Sequence, residues 1–133
     1  MGWFSRDKGE NPAGQETGSN GLPWQRLTSV DQLKEAITSS SEKPVLFFKH
    51  STRCSISSMA LNGFQKRWEG TSEEIDIYYL DLLNYRDVSN AMAMETGVIH
   101  QSPQVIVLKN NEVVYTATHS SIDARSALKS IKN

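Results

Sequence analysis

The most constraining feature of this chain is a pair of solid apolar runs, Val45-Leu46-Phe47-Phe48 and Val105-Ile106-Val107-Leu108. A run with no polar position has no face to offer water, so it suits a strand covered on both sides by other elements. No apolar run exceeds four residues, which is far short of the roughly 20 needed to cross a bilayer. Such runs require helices above and below a sheet, and the segments between them supply helical spacing.

Leu22-Pro23-Trp24-Gln25-Arg26-Leu27 reads as a short extended lead-in, which Pro23 confines to a sheet edge or a strand start. Ser29-Val30-Asp31-Gln32 matches a capping box, and Val30, Leu33 and Ile37 follow at helical spacing, predicting a helix over about 30–39. Pro44 ends that region, and residues 45–49 form the first buried strand. Ile56, Met59, Ala60, Gly63, Phe64 and Trp68 make one apolar stripe on a helix over about 55–68. A second β run covers 75–80, and a helix over about 85–95 ends at Gly97, where a left-handed C-terminal residue is expected. Residues 104–108 and 113–118 form strands joined around Asn110-Asn111, a tight hairpin turn. Ser121 is the expected cap of a last helix that turns Ala124, Leu128 and Ile131 inward. The order β-α-β-α-β-α-β-β-α is that of an α/β thioredoxin-like three-layer sandwich, a central mixed sheet flanked by helices.

A length of 133 residues suffices for one domain with a real core, but not for two. With 14 Lys+Arg against 15 Asp+Glu the net charge is -1, which argues against a nucleic-acid binder relying on bulk positive charge. Ser5 to Gly21 carry no apolar periodicity, and residues 1–21 are expected to be a flexible arm, leaving 22–133 as the thioredoxin-like domain. Met1-Gly2-Trp3-Phe4-Ser5-Arg6 has neither a secretory apolar segment nor the Ser or Thr that myristoylation wants at the sixth position. These features predict a soluble, cytoplasmic domain with no membrane partner.

The sequence holds one cysteine, Cys54, so no internal disulfide and no cysteine-based structural zinc site can form. Cys54 falls after the strand 45–49 and the turn His50-Ser51-Thr52-Arg53, at the start of a helix. Helix amides without partners and the positive end of the helix dipole stabilise a thiolate there, by up to about 2 kcal/mol. Its neighbours Ser51, Thr52, Arg53, Ser55, Ser57 and Ser58 are poor company for a core position, which favours a reactive thiol over a buried one. Arg53 and Lys49 either add positive charge or are simply solvated. Cys54-Ser55-Ile56-Ser57 is a C-x-x-S arrangement. Serine in place of a second cysteine leaves a thiol that can hold a mixed disulfide but cannot resolve it internally. Ser57 either donates a hydrogen bond to the sulfur or is only a first-turn residue.

Ser102-Pro103 precedes the strand 104–108, the place where thioredoxin-like proteins set a cis-proline beside the active cysteine. The residue before that proline offers its backbone to an extended substrate. His50 is either a proton acceptor for Cys54 or a polar surface residue, and His100 can line the same groove. The three histidines lack metal-ligand spacing, so no metal site is expected. Met92 and Met94 read as helix packing, and Tyr78-Tyr79 as a strand with alternating faces.

The segment His50-Ser51-Thr52-Arg53-Cys54-Ser55-Ile56-Ser57, followed by Ala60 and Phe64, resembles the monothiol bacilliredoxin family. Its members carry a similar H-S-T-x-C-P-I-S segment on a thioredoxin-like fold. The resemblance extends from about Trp24 to Ile131 and includes Tyr78-Tyr79-Leu80-Asp81 and Ser102-Pro103-Gln104. It implies an oxidoreductase that removes bacillithiol, a low-molecular-weight thiol, from S-bacillithiolated client proteins. Cys54 would be the catalytic residue, with His50, Thr52, Arg53, Ser57, Ser102 and Pro103 supporting it or binding substrate. Bacillithiol would be a cosubstrate, with no tightly bound cofactor. The chain departs from the family at Ser55, where proline is usual and preorganises the helix start. Two other readings stay open: a non-catalytic module that holds a peptide along Ser102-Pro103, and a thiol peroxidase. An iron–sulfur carrier would need a C-G-F-S type site, which is not present.

Overall fold

The computed structural model describes residues 22–132; the arm expected over 1–21 lies outside them. The elements are β1 (Gln25–Arg26), α1 (Val30–Ser39), β2 (Val45–His50), α2 (Ser55–Arg67), β3 (Asp76–Asp81), α3 (Arg86–Thr96), β4 (Gln104–Lys109), β5 (Glu112–Thr118) and α4 (Ala124–Lys129). One mixed sheet runs in the order β1-β3-β2-β4-β5. β1 and β2 both pair with β3 in parallel, whereas β4 lies antiparallel to β2 and to β5. The lead-in pairs through only two residues, at the edge to which Pro23 confines it.

All six residues of β2 are buried, as a continuous apolar run demands. Leu46 and Phe48 pack on one side with Phe64, Ala124, Ala127, Leu128 and Ile131, and Val45 and Phe47 on the other with Leu33, Ala36, Val88 and Met92. Fully burying each of these large side chains contributes roughly 1.5–3 kcal/mol. Tyr78 and Tyr79 divide between the two faces. The methionines divide less symmetrically: Met92 is buried and Met94 is exposed. The hairpin turns through Asn110 and Asn111, both at positive φ (55° and 64°), a conformation asparagine tolerates. Ser40 ties this turn to the end of α1, its carbonyl accepting from Asn110 N–H at 2.7 Å and its hydroxyl from Asn111 N–H at 2.9 Å. Gly97 closes α3 at φ 74°.

Three expectations need correction. The last helix is capped by Asp123, not Ser121: its carboxylate accepts from Ser126 N–H at 3.1 Å and from Ser126 Oγ at 2.6 Å. Ser121 instead ends a 3-10 turn, His119–Ser121, and a carboxylate three residues before Ser126 serves the helix amides better. The inward face of α2 is also turned from the apolar stripe, because Ile56 and Met59 are 58% and 72% exposed while Ser57, Phe64 and Gln65 are buried. Polar partners draw Ser57 and Gln65 in; the Gln65 side-chain oxygen accepts from Trp24 Nε1–H at 2.7 Å. Lys49 is not solvated. It is wholly buried in β2, between Leu80 and Gln104, and its Nζ has no hydrogen-bond partner among the described residues.

Burial pushes the Lys49 ammonium down from 10.5 to about 8. Between those values the unfolded chain binds more protons than the folded one, so stability rises with pH across that window; below it the penalty is present in full. Lys49→Met should therefore stabilise the fold at neutral pH by about 2 kcal/mol. The gain should shrink as pH approaches 10, and urea unfolding of both proteins at the two pH values measures it.

Candidate active site

β2 delivers the chain at His50, and a tight turn follows in which Cys54 N–H donates to the Ser51 carbonyl at 3.1 Å. Cys54 has extended backbone (φ −111°, ψ 120°) and occupies the N-cap of α2, its carbonyl accepting from Ser58 N–H at 3.0 Å. The residue is half-buried and its thiol is free. It is neither a core cysteine nor a mid-helix one. Among the described residues the sulfur takes no capping hydrogen bond from the helix amides, contrary to the expectation that they converge on it. Sulfur is a weak acceptor, so what the N-cap position supplies is the dipole's field rather than direct bonds.

Ser57, one turn into α2, is fully buried. Its Oγ lies 2.7 Å from His50 Nδ1 and accepts from Ser51 N–H at 3.1 Å. His50 is thus not a surface residue: it is 5% exposed, stacks obliquely on Tyr79 at 5.7 Å and pairs across the sheet with Asp81. Burial lowers its pKa below the ordinary imidazole value while the Asp81 carboxylate pulls the other way. The hydroxyl has one proton and two lone pairs. If Nδ1 accepts, Ser57 spends its proton on His50. If Nδ1 carries hydrogen, Ser57 accepts twice and its own proton is free to turn toward a group on the same helical turn, such as Cys54.

The Ser102–Pro103 peptide is cis. It leads directly into β4, whose Gln104 pairs with Lys49, so it lies at the same end of the sheet as the β2–α2 turn. Pro103 is buried and its carbonyl accepts from His119 N–H at 3.1 Å; Ser102 Oγ is buried with no partner among the described residues. Thr52 and Arg53 are exposed and line an open cavity with Leu83, Asn84 and Arg86. His100 is exposed, its Nδ1 3.4 Å from Ser89 Oγ. Among the described residues no three His, Cys, Asp or Glu side chains gather as a metal site would require. Sequence reasoning missed Asp81, Asn84 and Arg86. Asp81 ends a strand one residue past an apolar run, and only its register opposite His50 gives it meaning.

A mixed sheet in this order, with a lone thiol at the N-cap of α2 and a cis-proline before β4, defines the thiol–disulfide oxidoreductase class of the thioredoxin fold. The sequence profile described as monothiol bacilliredoxin BrxC matches residues 25–127, and the chain belongs to the monothiol bacilliredoxin family. Among solved structures it is similar to a protein taken to be an oxidoreductase with a thioredoxin fold, at 34% identity and a TM-score of 0.67, covering 81% of this chain and 92% of that one. A thioredoxin of Malassezia sympodialis is 23% identical with a TM-score of 0.61, covering 81% and 87% of the two chains. Mitochondrial thioredoxin 3 of Saccharomyces cerevisiae is 16% identical with a TM-score of 0.60, covering 82% and 93%. These last two speak for the fold alone.

Ser57→Ala removes the partner of the buried His50 Nδ1 and of the part-buried Ser51 N–H. The expected loss is about 1–3 kcal/mol, read from chemical denaturation with the unfolding slope unchanged.

Proposed function

We propose that Cys54 is the nucleophile of a monothiol exchange that removes bacillithiol from S-bacillithiolated client proteins. The observation that carries this reading is the free thiol of a half-buried cysteine at the N-cap of α2, with serine rather than cysteine three residues on, in a monothiol bacilliredoxin. The Cys54 thiolate attacks the bacillithiol sulfur of the mixed disulfide. A new S–S bond forms to Cys54, the old one breaks, and the client sulfur leaves as a thiolate with the electron pair. The client is reduced and Cys54 is oxidised to its bacillithiol adduct. A second low-molecular-weight thiol, or a thiol reductase, must attack that adduct to restore the enzyme, because Ser57 cannot.

In this reading Ser57 and His50 orient and polarise the sulfur, and Ser102 and Pro103 present backbone to the client segment that carries the disulfide. Thr52 and Arg53 meet the small-thiol portion. The reaction needs no resident cofactor. It belongs in a reducing compartment such as the cytoplasm, where mixed disulfides are repaired rather than kept.

The test is intact mass spectrometry of the full chain after parallel exposure to the disulfides of bacillithiol, glutathione and coenzyme A. A single adduct forming fastest with bacillithiol disulfide, and lost in Cys54→Ser, is the expected result. A Cys54→Ser protein that still reduced a bacillithiolated client would overturn the assignment.

A further inference from the structure

The turn before Cys54 and the start of α3 enclose an open cavity of about 410 Å³, lined by Thr52, Arg53, Leu83, Asn84 and Arg86. That volume lies within the roughly 300–1,000 Å³ range of small-molecule sites. Its charge is one-sided: Arg53 and Arg86 both line it, and among the described residues neither makes an ion pair. Arg86 is also the first residue of α3, and the N-cap of that helix, Tyr85, contributes no side-chain capping bond. The cavity therefore adjoins the start of an 11-residue helix, through Arg86 and the residues Leu83 and Asn84 that precede it. Two acids stand close in sequence, exposed Asp87 in the first turn of α3 and Asp81, whose Oδ2 accepts from Asn84 Nδ2 at 2.7 Å while its Oδ1 is buried without a partner among the described residues; neither lines the cavity. His100 senses the same field, its pKa lowered by burial and by the Lys49 and Arg86 charges.

We propose that this cavity is the subsite for the carboxylate end of the low-molecular-weight thiol whose sulfur Cys54 attacks. The proposal rests on the reading of Cys54 as the exchanging thiol and adds to it the chemistry by which the small thiol is recognised. A guanidinium fork meets a carboxylate through two parallel N–H···O bonds, and two such forks beside a hydroxyl and an amide suit a ligand with more than one acidic oxygen pair. Arg53 is the residue immediately before Cys54, so an anion held there keeps its own sulfur next to the nucleophile. In the exchange the Cys54 thiolate forms a bond to one sulfur of a small disulfide. The original S–S bond breaks, and the other half departs as a thiolate with the electron pair.

Three symmetrical disulfides of nearly equal size and different charge separate recognition from reactivity: dithiodipropionate (anionic), hydroxyethyl disulfide (neutral) and cystamine (cationic). With the full chain, the rate of Cys54 adduct formation should fall in that order. The spread should narrow in high salt, since exposed charges are screened. Arg86→Gln, and separately Arg53→Gln, should lower the dithiodipropionate rate about fivefold more than the hydroxyethyl disulfide rate. Equal wild-type rates with the anionic and neutral disulfides, or an equal fall for both in the arginine variants, would overturn the subsite while leaving Cys54 as the nucleophile. Reaction with none of the three would overturn the reading of Cys54, and the subsite with it.

Discussion

The central position of β2 is the constraint from which the rest of the structure follows. Paired with β3 on one side and β4 on the other, and covered above and below, it has no solvent-facing row. Its residues must be apolar or individually accommodated. Val45 to Phe48 meet that demand by composition. Lys49 and His50 do not, and they fall at the end of the strand that leads into the Cys54 turn. Polar groups are expensive in such a place, and each is treated differently: His50 receives Ser57 and faces Asp81, while Lys49 receives no bond among the described residues. The sheet thus places its two least comfortable residues beside the candidate nucleophile, a pattern common where function is selected over stability.

The fold was legible in the sequence because the same physics wrote both. Runs such as Val45–Phe48 and Val105–Leu108 are forced by burial on two faces, and Gly97 and Asn110-Asn111 by backbone conformations that few residues adopt. The candidate site was legible where it is local: Cys54 at a helix start, Ser57 three residues later, proline before β4. What could not be read was whatever depends on register. Nothing in the sequence says that His50 lies opposite Asp81, or that Arg86 shares a cavity with Arg53. The same limit explains the stripe of α2. Periodicity counts apolar residues, whereas the inward face was fixed by hydrogen bonds to Ser57 and Gln65, so Ile56 and Met59 were left outside. The Ser121 cap failed for a related reason: serine and aspartate both cap helices, and the choice fell to where a 3-10 turn ended.

Titratable groups are arranged around the turn in layers of decreasing burial. Lys49 is enclosed, His50 is nearly so, and Arg53 and Arg86 are open to solvent. Enclosed charges act strongly but cannot be exchanged for a ligand's, while exposed ones act weakly until a ligand excludes water from them. In the proposed exchange this ordering would divide the work: inner groups would tune a sulfur whose surroundings never change, and outer groups would select what approaches it.

Ser55 and Ser57 bear on that division in opposite ways. Proline at the first helical position would stiffen the turn before any substrate arrives, because its φ is already that of a helix. Serine leaves the turn to be held by other means. In this chain those means are the Ser51 carbonyl bond to Cys54 N–H and the Ser57 hydroxyl, which binds both the backbone of Ser51 and the ring of His50. A residue that in dithiol relatives would be a second sulfur therefore becomes, here, a fastener between α2, the turn and β2. Its oxygen is smaller than sulfur, accepts hydrogen bonds well, and cannot be oxidised to a disulfide. In the proposed exchange one atom's replacement withdraws the internal resolving step, and in this structure the same oxygen ties the turn to α2 and β2.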